Sequence, residues 1–386
     1  MREIYLDAAA TARYTETDDI VVNTITSAMK RYWMNPSSLY ATDVREEIDK
    51  CRANIARFIG ANPSELYFVS GASEANNWAI RGWIDWVNYN LNKTANVITT
   101  CIEHKSIIEA TKNPCLNAII AYCNVDNYGV IDLNSLVEEL EDCMIMNEPI
   151  LVVLGMVNNE IGTCQQIKVI SDIVHRFNGI LYVDATQAIG HIPINVKELG
   201  IDMLGTSGHK ISPVLKGIGF LYKREDIEIM PLIYGNQEKG LRAGTENTFG
   251  IIGLSKAIEY CDVSDRNVEE MINKRDYFIN QLITKFGCKL NGHSEYRLPN
   301  NISITFPQNI TGESLLYTLD LAGIKCSVAS ACNSKEIKPS YVLKAIGLSD
   351  VEAMKTVRFT LPRDITYQDI DIVIDEIEKA IKLINL

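Results

Sequence analysis

Short apolar runs that alternate with longer amphipathic segments constrain this chain more than any other feature. A run with no wet face reads as a strand buried on both sides, and such strands occur in parallel sheets covered by helices. The class expected is therefore α/β. Strands are expected at residues 97–101, 118–123, 151–156, 180–183, 203–206 and 218–222, and helices at 73–90, 133–146 and 167–177, where apolar residues recur at three- and four-residue spacing. Beyond about residue 258 the pattern changes to a polar helix (264–286), a strand (301–306) and two further helices (313–322 and 367–384). That change suggests a second, smaller α+β domain, and the pattern leaves open which unit takes the opening residues.

At 386 residues the chain can bury a large core without staples. Its net charge of −12, with no dense basic run, argues against direct nucleic-acid binding. The longest apolar stretches, such as 150–157, fall well short of the roughly 18 residues of a membrane span. The opening MREIYLDAAATARY has no basic stretch followed by an apolar run, so a cytoplasmic protein is expected. Ten scattered cysteines form no C-x-x-C pair and have no matching histidine cluster; most are expected as free thiols, with no metal site. Phosphate-loop, dinucleotide-fold, zinc-protease and serine-hydrolase motifs are all missing.

Polar groups instead cluster where the expected strands end, which is where open α/β sheets bind ligands. Ser70-Gly71-Ala72-Ser73-Glu74 opens a helix, either as a phosphate cradle or as a plain N-cap. His104 ends one strand with a flat ring able to stack on a planar ligand, although a lone histidine is more often an ordinary surface or core group. Asn158 and Asn159 end another strand, as ligand donors or as turn closers. Asp184, with Gln187 three residues on, emerges from a buried strand, and a near-buried acid needs a cationic partner such as a protonated heteroaromatic nitrogen. Ser207-Gly208-His209-Lys210 then supplies a hydroxyl, an imidazole and an amine nucleophile, or merely a surface lysine on a turn. Together these groups describe a site for pyridoxal phosphate.

The motifs YLDAAAT (5–11), NPSSLY (35–40), SGASEANN (70–77), EHK (103–105), VNNEIGT (157–163), VDATQAIG (183–190), SGHK (207–210), GLRAGTEN (240–247), SVASACNS (327–334), KPSYVLKAIGL (338–348) and VRF (357–359) stand in this order. Their sequence resembles the NifS/IscS-like cysteine desulfurases of the class V aminotransferase superfamily. The resemblance implies the fold of type I pyridoxal-phosphate enzymes. A large cofactor-binding domain would span 14–258, and a small domain of 1–13 and 259–386 would carry a catalytic cysteine loop. It also implies a homodimer with active sites at the subunit interface.

By the same resemblance Lys210 would be the Schiff-base lysine, Asp184 the partner of the pyridine nitrogen and His104 the stacking ring, with Asn159 and Gln187 on the phenolic oxygen. Ala72, Ser73, Ser207 and His209 would hold the phosphate, joined by Thr245 from the neighbouring subunit. Arg358, helped by Asn35, would grip the carboxylate of L-cysteine. Cys332 would take the sulfur as a persulfide for an acceptor such as an iron–sulfur scaffold or a thio-modification enzyme, and Cys326 would stay a packing residue.

The chain departs from the family pattern at Ala8, Tyr40, Asn236 and Pro362, and in the stretch 211–217, which is one residue longer than usual. No proposed chemical group is lost. Selenocysteine lyase, another class V lyase and a catalytically silent sulfur-relay scaffold are the alternatives. Trp78, Trp83 and Trp86 on one expected helix read as core or dimer packing.

Overall fold

The computed structural model describes residues 3–307, 310–328, 331–333 and 336–384, without the side chains of 331–333 and 336–337. A first strand, β1 (Ile4–Tyr5), precedes the strands of the main sheet: β2 (Leu66–Val69), β3 (Ala95–Thr100), β4 (Ala118–Cys123), β5 (Ile150–Gly155), β6 (Ile180–Asp184), β7 (Met203–Ser207) and β8 (Gly219–Lys223). Their order is β2-β8-β7-β6-β5-β3-β4. β8 runs antiparallel to both β2 and β7, and the other pairings are parallel.

The apolar runs mark interior strands because helices cover both faces. Every residue of β3 and β8 is buried, while the edge strand β4 keeps only Cys123 buried. One face packs residues such as Ile98, Val152, Leu154 and Val183 against helices that include Thr42–Phe58 and Ile167–Arg176. The opposite face packs Val97, Leu151 and Val153 against helix Ala72–Trp86. Trp78 and Trp83 of that helix are fully interior, and the Trp78 indole donates to the Met230 carbonyl at 3.0 Å. They are core residues.

A separate apolar cluster lies around four antiparallel strands, ordered β12 (Ser327–Val328), β15 (Thr356–Thr360), β10 (Asn301–Thr305) and β9 (Lys289–Leu290). Helix Tyr367–Ile384 buries Ile370, Val373, Ile374 and Ile377 there, a single stripe at helical spacing. Ile4 and Leu6 join this cluster, and β1 pairs in parallel with β11 (Ile324–Lys325). β13 (Ala331–Asn333) and β14 (Glu336–Lys338) form a two-stranded hairpin whose first strand contains Cys332. A small cluster of Val342, Leu343 and Ile346 with Ile102 and Ile161 seats the segment after that hairpin on the loops of the main sheet.

Candidate active site

A cavity of about 690 Å³ opens at the C-terminal ends of β3, β5, β6 and β7. This is the edge at which parallel strands deliver their following loops. Ala72, Ser73, His104, Asn159, Asp184, Gln187, Ser207, His209, Lys210 and Arg358 all line it. Asn35 and Thr245 do not. The Asn35 side chain accepts from the Ser37 amide at 2.9 Å, and Thr245 lines a different cavity together with Ser70 and Gly217. The side chain of Cys332 lies outside the described residues.

β2 leads through Ser70 and Gly71 into helix Ala72–Trp86, whose N-cap makes no side-chain hydrogen bond. Gly71 has φ +154°, a conformation that side chains resist, and a Cβ there would stand 3.1 Å from the Ser207 hydroxyl. The bare backbone thus brings the uncapped amides of the first turn beside Ser73 and Ser207, a donor set suited to a phosphate.

Asp184 is buried at the end of β6. Its Oδ1 accepts from the Thr186 amide at 2.9 Å and its Oδ2 from Asn76 Nδ2 at 2.7 Å, and among the described residues it forms no ion pair. A buried acid without a cation fits a ligand that carries a protonated ring nitrogen. The Thr186 hydroxyl is also buried with no partner among the described residues. Around β3, Glu103 is buried: Thr100 Oγ1 and the Gly155 amide each donate to it at 2.6 Å, while burial pushes its carboxyl up to about 7.

Lys210 follows β7 and donates to the carbonyls of Ala9 and Ala10, each at 2.6 Å. Burial, reinforced by Arg358 and opposed by Asp7 and Asp184, brings its amine down to about 8. The longer stretch after it is folded inward, with Ile211 and Leu215 buried and the Ser212 hydroxyl on Asp18. Burial and the neighbouring Lys210 and Lys216 push the His209 imidazole down to about 4, and its Nδ1 lies 3.2 Å from Thr11 Oγ1. Gln187 donates to the Ala9 carbonyl at 3.1 Å.

Arg358 reaches the cavity from β15. Its Nη2 pairs with Asp7 at 2.7 Å, its Nη1 donates to the Asn159 carbonyl at 2.9 Å, and its buried Nε has no partner among the described residues. The fork is held by Asp7 of the opening segment and by the Asn159 carbonyl, and three of its five N–H groups make no bond among the described residues.

Sequence reasoning passed over Asp7, Asn76 and Tyr182. Asn76 had a signal, since it falls on the apolar stripe Ala75, Ala79, Ile80, Trp83 and Ile84 of its helix, where a polar side chain needs partners. An acid inside IYLDAAA was a similar one.

A family model described as aminotransferase class-V matches residues 4–373. The cysteine desulfurase IscS of Dictyoglomus turgidum is 39% identical over 392 residues, covering 99% of this chain and 95% of that protein. Among solved structures, a NifS-like protein superposes with a TM-score of 0.86 at 29% identity, covering 99% of this chain and 100% of its own. A second, SspA in complex with cysteine, has a TM-score of 0.79 and 31% identity, with 93% and 99% covered.

Proposed function

The chain belongs to the class-V aminotransferases, in their NifS/IscS-like cysteine desulfurase branch, and from that premise we propose that it converts L-cysteine to L-alanine. The sulfur passes to Cys332 as a persulfide and onward to an acceptor. One observation carries the reading: a buried acid with no ion pair among the described residues, a lysine whose amine is brought down to about 8 and an arginine with unbonded donors share one cavity.

The residues present fit pyridoxal 5′-phosphate. The uncapped first turn after Gly71, with Ser73, Ser207 and His209, would hold its phosphate, Asp184 its ring nitrogen and Lys210 its aldehyde carbon. When bound, the cofactor supplies an electron sink for the α-carbon of an amino acid. Arg358 orients the substrate through its carboxylate, using guanidinium N–H groups that neither Asp7 nor Asn159 occupies. The Lys210 amine, lowered toward neutrality, is placed to take and return the α-proton. The Cys332 thiolate accepts the sulfur atom as the carbon–sulfur bond breaks, leaving a persulfide on the enzyme and alanine in the pocket. Cys326 is unsuited to that role, because burial pushes its thiol up to about 12.

A homodimer in which Thr245 of one subunit completes the phosphate site of the other accounts for its absence from this chain's own cavity. The acceptor is an iron–sulfur scaffold or a thio-modification enzyme, and the setting is the cytoplasm. The decisive experiment measures alanine release from L-cysteine alongside alkylation of the Cys332 persulfide. Full alanine release by Cys332→Ala with ordinary reductant as sulfur acceptor would remove the persulfide from the proposal.

A further inference from the structure

Beyond the groups assigned to cofactor and substrate, a chain of polar contacts, buried at Asn76 and exposed where it reaches His104, links two of them. Asn76 is fully interior, and its Nδ2 lies 2.7 Å from Asp184 Oδ2 and 2.7 Å from Ser106 Oγ. Its Oδ1 accepts from the Tyr182 hydroxyl, which burial keeps well above the ordinary tyrosine range and hence a donor. A Cβ at Gly205 would collide with that hydroxyl, so β7 makes room for the contact. The amide has one consistent orientation, because turning it over would set its oxygen against a carboxylate oxygen. Both of its hydrogens are then committed, one to Asp184 and one to Ser106.

The proton of Ser106 is left free to donate, and its oxygen lies 2.8 Å from His104 Nδ1. The backbone amide of Ser106, which can only donate, reaches the same nitrogen at 3.2 Å. A ring nitrogen facing two donors is an acceptor, so the proton resides on the other nitrogen. We infer that Asn76 and Ser106 form a positioning relay that couples the Asp184 carboxylate to His104 and holds its imidazole as the neutral Nε2–H tautomer.

His104 then offers the cavity a hydrogen-bond donor without a full positive charge, a form suited to stabilising negative charge as it develops. The charged groups around the ring act in both directions. Burial draws the imidazole below its ordinary range, Asp184 opposes this, and Lys210 and Lys105 assist it. The Glu103 carboxylate turns away, toward Thr100 and Gly155. A second proton could enter only at Nδ1, at the cost of both donated bonds.

The relay rests on the proposed function only in taking His104 and Asp184 to face the cofactor, since the tautomer belongs to the chain itself. The test is long-range proton–nitrogen NMR of the full chain labelled with ¹⁵N-histidine, with and without pyridoxal phosphate, His104 being assigned through His104→Gln. The expected result is an unprotonated Nδ1 and a protonated Nε2. In Ser106→Ala one donor to Nδ1 is lost, and the His104 titration moves upward by about half to one pH unit. Ser106→Thr, which keeps the hydroxyl, restores the parent value. An Nδ1–H signal in the parent, or a Ser106→Ala titration that coincides with it, overturns the relay. Alanine release is measured separately, so a parent that shows the Nε2–H signal yet releases no alanine refutes the desulfurase reading and leaves the relay standing.

Discussion

At the sheet side of the cavity Asp184 is a buried acid with N–H donors on both oxygens and no ion pair among the described residues. Across the cavity Arg358 is a buried base already paired with Asp7. The difference separates two ways of holding a ligand. Asp184 is pre-oriented by neutral partners, so a cation that enters gains a charge-assisted bond without displacing anything. Arg358 is pre-oriented by a charged partner, so an incoming carboxylate must share the guanidinium with Asp7 and is held more weakly. A cofactor that stays bound suits the first arrangement, and a substrate that must leave after each turnover suits the second.

Lys210 stands between these two ends, and its removal has the largest expected effect. Lys210→Ala should lower alanine release at least about a thousandfold, because the attachment point and the proton carrier vanish together. Residual activity within tenfold of the parent would show that neither role is its own.

Asp184→Asn tests the cation socket directly, since it keeps shape and removes charge. A lost charge-assisted hydrogen bond corresponds to about a ten- to hundredfold fall in kcat. Pyridoxal phosphate should also dissociate faster on dilution, read from visible absorbance. Equal retention of the cofactor by Asp184→Asn and the parent would mean that the unpaired acid serves the fold alone.

Arg358→Lys addresses the opposite end and should be milder. Lysine keeps the charge near Asp7 but loses the planar fork, so KM for L-cysteine should rise about tenfold with kcat less affected. A fall confined to kcat would place Arg358 in the chemistry and erase the contrast between the two ends.

The contrast was half legible in the chain itself. Strand ends were readable because β5 and β6 are apolar until they reach the cavity, so Asp184 announces itself as the first acid after a buried run. The strand expected at 218–222 runs antiparallel as β8, a direction that apolar content does not encode. Arg358 was nameable only through the resemblance, because an arginine in TVRFT looks like any alternating strand residue until β15 is paired with β10. Asp7 and Asn76 passed unassigned for a related reason: their partners lie 351 and 108 positions away, and no local pattern reports a contact of that range.

The smallest effect concerns pH and follows from the position of Lys210 between the two charges. An ordinary lysine titrates near 10.5, whereas burial with the help of Arg358 brings this one to about 8. Only the neutral amine can bond to the aldehyde carbon of pyridoxal phosphate. At pH 7 roughly one amine in ten is neutral, against about one in three thousand for an unshifted lysine, and at pH 8 about half are. Capture of the cofactor by apoprotein, followed by visible absorbance, should therefore accelerate about fivefold between pH 7 and 8 and level off above 9. Arg358→Gln removes a positive neighbour that lowers the amine, so the same rise should shift to higher pH. Asp184→Asn removes a negative one and should shift it lower. Opposite displacements by the two variants would show that both ends of the cavity act on one amine, and displacements in the same direction would sink that account.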